Sequence, residues 1–344
     1  YNIGIGESGG SAITTGSYNI GIGRDALEGN DTDGTNIGIG YRASGAITGD
    51  NNISIGHYAG YNSNSNDYDK NIAIGDYALD GTKAGGLVGA IAIGYNALTA
   101  ITSGGGNTAI GYQNSQAITT GTQNTSVGSA ANQNSTGSDN ATLGYQSNFY
   151  NVTGGYNVAI GSQSMQGASG QSNSNNTSVG YKSLFVISTG GDNVAVGANS
   201  ADALTTGSNT VAIGKHALSN EDVGNRTTAV GSQALAQQNT ASAGITGNVG
   251  LGYGAGYYNV TGTKNTYLGY ESGWGATGDS NSNNTAVGYQ SLYAVTTGGQ
   301  NTAIGFEAGL AITTGAHNTI VGYEAMESGT NNGYSTAIGY RASN

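Results

Sequence analysis

Asn107-Thr108-Ala109-Ile110-Gly111 and Asn301-Thr302-Ala303-Ile304-Gly305 are two copies of one phrase: Asn, any residue, a small residue, an aliphatic, Gly. Versions of it return twenty times, closing first at Gly6 and last at Gly339. Twelve of the nineteen intervals between closing glycines are 17 residues, and the rest are 16, 19 or 21. Self-similarity at a short, nearly fixed period marks a solenoid, in which each repeat folds against its neighbours.

The position before the closing glycine is Ile, Val or Leu in every repeat. Two residues earlier stands an aliphatic or Thr, with Ala141 the exception, and the residue between is usually Ala, Gly or Ser. This period-two alternation predicts a strand with two unlike faces, and a 17-residue coil has no room for a helix and its connections. The expected fold is therefore all-β, a parallel β-solenoid of about twenty coils running as one continuous domain over residues 1–344.

Asn opens the phrase in sixteen repeats; Ala90, Thr210, Thr227 and Ser335 replace it. Coils in register bring identical side chains to about 4.8 Å, so these amides either form a ladder up the stack or tolerate a left-handed turn backbone. Tyr follows the closing glycine in ten repeats and Phe306 in another, often continuing as in Tyr95-Asn96-Ala97-Leu98, which reads as a second short strand. A Thr-rich stretch ending in glycine, such as Ile118-Thr119-Thr120-Gly121, then supplies the turn into the next Asn.

Composition narrows the function. With 63 glycines and no proline the chain is not collagen-like, and with no cysteine it has neither a disulfide frame nor a thiolate metal site. Twenty acidic against nine basic residues, with no Lys/Arg cluster, argue against nucleic acid as a partner. No apolar run approaches the roughly 18 residues that a membrane span needs, so no membrane insertion is expected of this segment. Few large apolar residues per coil stand against the cost of ordering the backbone. That imbalance favours a homo-oligomer, with the flat Ala/Gly face buried against another chain. The chain opens at Tyr1-Asn2 and stops at Asn344 beside repeat phrases, which suggests a segment of a longer fibre protein.

Asn157-Val158-Ala159-Ile160-Gly161, followed by Ser162-Gln163-Ser164, resembles the head repeats of trimeric autotransporter adhesins. The longer stretch from Thr297 to Gly305 is similar to repeats of bacteriophage tail fibres and bacterial surface fibres. The resemblance implies left-handed coils, a homotrimer and an extracellular fibre of a cell surface, virion or matrix. The function expected is a non-enzymatic shaft or head of an adhesin or tail fibre, giving reach and multivalent attachment to a surface glycan or receptor. The alternative is a self-assembling structural filament.

A longer period overlies the first. Ser-Asn-Ser-Asn inserts occupy residues 63–66, 172–175 and 280–283, in 19-residue coils that recur every six coils. Duplication of a six-coil block accounts for them; a functional alternative is that they project and touch a partner. The candidate surface-contact residues are the insert asparagines Asn64, Asn66, Asn173, Asn175, Asn281 and Asn283, with the irregular aromatics Tyr61, Tyr68, Tyr150, Tyr258 and Trp274. The post-glycine tyrosines either face outward as a stripe for sugar rings or seal subunit seams.

Other chemistry finds little support. His57, His216 and His317 lack metal-ligand spacing, and Asp31-Thr32-Asp33-Gly34 and Asp67-Tyr68-Asp69 read as acidic turns rather than calcium loops. The Thr pairs are adjacent, which does not suit an ice-binding array. Asn151-Val152-Thr153 and Asn259-Val260-Thr261 permit glycosylation if the source glycosylates. No catalytic constellation, cofactor site or metal site is expected.

Overall fold

The computed structural model describes residues 1–29, 34–45, 49–61, 68–81, 87–240, 244–329 and 333–343. Residues 1–174 and 175–344 form two compact units, built by the same rule. In the first, ten three-residue strands from Ile3–Ile5 to Val158–Ile160 pair in parallel, phrase on phrase; a short second ladder joins Tyr68–Asp69 to Leu87–Val88. In the second, ten strands from Thr177–Val179 to Thr336–Ile338 do the same, so that Thr285, Ala286 and Val287 lie opposite Thr302, Ala303 and Ile304. Among the described residues there is no helix. The expected parallel β-solenoid of stacked coils of about 17 residues is the observed fold.

The closing glycine ends each strand for a steric reason. Its φ lies between +111° and +142°, a region costly for L side chains, and an added Cβ at Gly305 would overlap the carbonyl oxygen of Gly322 in the next coil.

The two strand faces are reversed from expectation. The small central residue points into the coil, and the flanking Ile, Val or Thr residues point out and are half-exposed, as in Ile72–Ile74 and Thr285–Val287. Ala73, Ala92 and Ala109 are fully buried among Leu79, Leu98, Ile101 and Ile118. The cross-section is too narrow for more: a Cβ added at Gly38 would sit 2.8 Å from the Ala43 carbonyl oxygen and 3.1 Å from Leu27 Cγ. The Ala/Gly face is thus the lining of the coil, and cannot be a subunit interface.

Where a large residue takes the central position, glycine appears opposite. Tyr267 fills the interior of its coil, and side chains at Gly256 or Gly273 would collide with its ring; its hydroxyl donates to Asn281 Oδ1. Burial pushes the Tyr267 phenol well above its ordinary range, and does the same to fully buried Tyr68.

The segment after the closing glycine is a ladder of turns rather than a second strand. Asn96 and Leu98 have φ of 55° and 53°, as do their counterparts Gln290 and Leu292 at 48° and 49°. Alternating handedness turns consecutive side chains inward, so Ala97 and Leu98 are both buried, which a strand would forbid. Hydrogen bonds to the neighbouring coils hold this backbone in place: Asn96 N–H donates to the Asp76 carbonyl at 3.1 Å, and Leu98 N–H to that of Asn114 at 3.2 Å.

The Asn residues form the ladder. In the second unit Asn284 Oδ1 accepts the Asn301 N–H, and Asn301 Oδ1 accepts the Asn318 N–H, both at 3.0 Å; each Nδ2 donates to the glycine turn of the next coil. The left-handed residue is the one before the Asn, as at Gln300 and His317, so tolerance of positive φ is not why Asn recurs. In the first unit Asn19, Asn36, Asn52 and Asn71 are linked likewise, and the row is interrupted at Ala90, whose N–H donates to Asn71 Oδ1 but whose methyl side chain has no oxygen to accept from the next coil.

Candidate functional site

The outer surface is organised in rows because every coil repeats its neighbour. The residue before each closing glycine makes an aliphatic row. In the second unit it runs through Leu251, Leu268, Val287, Ile304, Val321 and Ile338, and four of these are large and exposed. Beside it runs a row of threonines at the first strand position, Thr266, Thr285, Thr302, Thr319 and Thr336. This alignment is additional to that of the Thr-rich turns, where Thr296 N–H donates to the Thr313 carbonyl at 2.9 Å. In the first unit the face dips at Ala141, where Thr125, Val127, Leu143 and Ile160 surround an apolar notch.

A third row is aromatic. Tyr253, Tyr270, Tyr289, Phe306, Tyr323 and Tyr340 stack one on another with centroids 5.0 to 5.3 Å apart and ring planes within 18°. Tyr95 and Tyr112 stack the same way in the first unit, at 5.4 Å. These rings point outward, but their faces are covered by one another, and what solvent meets is mainly ring edges and hydroxyls. Stacking of sugar rings on the ladder's faces is therefore blocked inside the row. The neighbouring carboxylates of Glu271 and Glu324 raise the phenols of Tyr270 and Tyr323 above their usual range. Arg341, 2.6 Å from Glu324, lowers that carboxylate.

The sequence candidates divide. Asn64 and Asn66 lie outside the described residues, as do Asp31, Asp33 and Asp67. Tyr68, Asn173 and Asn281 are buried rather than on the surface. The reason is that the inserts fold back on the preceding coil: the Asn173 carbonyl accepts Asn157 Nδ2 at 2.9 Å, and that of Asn281 accepts Asn265 Nδ2 at 2.7 Å. Ser172 and Ser282 Oγ cap the N–H groups of Thr153 and Thr263. Only Asn175 and Asn283 of the described insert asparagines are exposed.

Two aromatic groupings do form. Trp274 stacks on Tyr257 at 4.6 Å and on Tyr293 at 6.4 Å, with Tyr258 edge-on to Tyr257 and Trp274. Tyr61 is edge-on to Tyr58, with the Arg42 guanidinium above both and Asp25 3.7 Å from Arg42. Tyr150 packs edge-on to Phe149 alone among aromatic rings. Asn151 and Asn259 of the two sequons are buried and hold glycine turns through Nδ2, so the folded chain does not offer them for glycosylation.

One polar cluster escaped the sequence reading. Glu221 is fully buried, and its carboxylate accepts from Gly224 N–H at 2.7 Å, Thr240 Oγ1 at 2.9 Å and Gln238 Nε2 at 2.8 Å. Gln238 also donates to Thr227 Oγ1 and accepts from Asn248. The signal was present: Thr227 breaks the Asn row, and the coil that follows is the 21-residue one. The cluster restores the ladder's hydrogen bonds from inside and offers no route for a substrate. Among the described residues no group of three or more His, Cys, Asp or Glu is placed to hold a metal, and no helix is long and apolar enough to cross a membrane.

No protein-family model, curated protein or solved structure matches the chain.

Proposed function

We propose that the chain is the shaft or head of a non-enzymatic extracellular fibre, of the adhesin or phage tail-fibre kind, whose copies associate side by side. The observation that supports this reading is the outward aliphatic row, repeated coil after coil and unpartnered within the chain. Covering about 40 Å² on each of two outward side chains per strand, over the ten strands of one unit, amounts to about 800 Å² per unit, the size of one partner's share of a stable interface. At about 25 cal/mol per Å² this is worth roughly 20 kcal/mol gross, enough to offset the roughly 4–15 kcal/mol cost of association. The homotrimer follows from the resemblance of Asn157-Val158-Ala159-Ile160-Gly161 to adhesin head repeats. In this arrangement the stacked coils supply reach, and the half-buried Trp274 and Tyr258 with the exposed Asn283 recur in each copy for weak multivalent contact with a glycan or receptor.

Sedimentation equilibrium tests the reading. A trimer that dissociates on Ile304→Asp with Leu268→Asp, at unchanged circular dichroism, supports it; a wild-type monomer at micromolar concentration refutes it. Electron microscopy of the assembly from its source would show short bristles for a fibre, and indefinite filaments for a self-assembling alternative.

A further inference from the structure

We propose that the aromatic row of the second unit is a site of oxidative dityrosine coupling between consecutive coils. The geometry supplies what such coupling ordinarily lacks, two phenols held together before either is oxidised. Tyr253, Tyr270 and Tyr289 form one run with centroids 5.3 Å apart and planes 18° and 7° from parallel, and Tyr323 and Tyr340 form a pair at 5.3 Å and 11°. Phe306 stands between the two runs, stacked on both. Backbone hydrogen bonds fix the spacing: Glu271 N–H donates to the Tyr253 carbonyl and Gln290 N–H to that of Tyr270, at 2.8 and 2.9 Å. Small rotations about the side-chain torsions then bring ortho carbons together, and pre-organisation of this kind replaces a diffusional encounter.

Accessibility points the same way. The five tyrosines are 41 to 70 % exposed. Both methionines, Met165 and Met326, are buried, and the chain has no cysteine, so the usual sulfur sinks for an oxidant are absent or shielded. Glu271 and Glu324 lie against the phenols of Tyr270 and Tyr323 and can take a hydroxyl proton as the electron leaves. A chain without disulfides would thereby gain covalent staples between coils.

The chemistry balances with a peroxide as oxidant and a haem peroxidase as its one-electron relay. Each phenol gives up one electron and its hydroxyl proton. The two radicals join ortho carbon to ortho carbon, and the ortho hydrogens move to the oxygens to restore both phenols. Hydrogen peroxide takes up the two electrons and two protons and becomes two waters.

The test treats the full chain with horseradish peroxidase and hydrogen peroxide, folded and in urea, and maps linked peptides by mass spectrometry as pairs lighter by two hydrogens. Within this row the expected links are Tyr253 to Tyr270, Tyr270 to Tyr289, and Tyr323 to Tyr340, with none from Tyr289 to Tyr323; Tyr95 and Tyr112, stacked at 5.4 Å in the first unit, should link as well. Their yield should fall about tenfold or more in urea, where proximity is lost. Phe306→Tyr should add links across the gap. Absence of dityrosine, links only between molecules, or the same pairs at equal yield in urea would each overturn the proposal.

Discussion

Replacing Asn301 by Ala tests whether the amide ladder holds the coils together. Three hydrogen bonds go at once: Nδ2 to the Gly315 carbonyl at 2.8 Å, and two accepted by Oδ1 from the Asn318 N–H and Nδ2, each at 3.0 Å. The site is buried, so water does not readily replace them. At about 1–2 kcal/mol for each group left without its partner, the loss comes to about 3–6 kcal/mol. Because a solenoid opens locally, the sharpest readout is hydrogen exchange at the Asn318 amide, which should accelerate at least about a hundredfold for a 3 kcal/mol loss. The control is Thr302→Ala, one residue away on the outward face, which should cost about 0.5 kcal/mol or less. If the two variants exchange and unfold alike, the ladder is a by-product of stacking and not one of its causes.

Two further outcomes follow from local geometry. Gly305→Ala should cost about 3 kcal/mol in urea unfolding, since φ is +141° and the methyl meets Gly322, whereas Gly278→Ala, with φ of +89° and open space around it, should cost about 1 kcal/mol. Tyr267 has a raised folded pKa, so its contribution is complete below the unfolded value of about 10 and declines as pH rises beyond it, by about 1.4 kcal/mol per pH unit. Alkaline unfolding followed by circular dichroism should therefore become shallower in Tyr267→Phe.

The stacking was legible in the spacing of the closing glycines, and the amide ladder was one of two roles that the recurrence of Asn107, Asn124 and their equivalents allowed. Which strand face lies inside was not legible, because both faces are apolar and periodicity marks two faces without ranking them. The deciding quantity is the width of the coil, set by Leu98 and Ile101 on the far side; at that width small residues such as Ala, Gly or Ser fit beneath the strand, and Tyr267 or Ile320 does so where a glycine opposite makes room. The turn ladder was hidden because Leu98 and Gln290 give no sequence sign of positive φ; their backbone is imposed by hydrogen bonds from adjacent coils. Of the candidate site, the row of post-glycine tyrosines was visible but its outward direction was not, and their stacking requires knowing how Tyr270 and Tyr289 register. Asn173 and Asn281 read as projecting because an insertion suggests a bulge, when each instead occupies a slot beneath the preceding Asn.

Within either unit, the partner of a ladder asparagine is nearly always the same residue one period along. A recombination event that drops or copies a whole period therefore rejoins ends that already match, with no new contact to be invented. Such a gene can drift in copy number while the protein it encodes stays folded, and natural variants should differ from one another by whole coils.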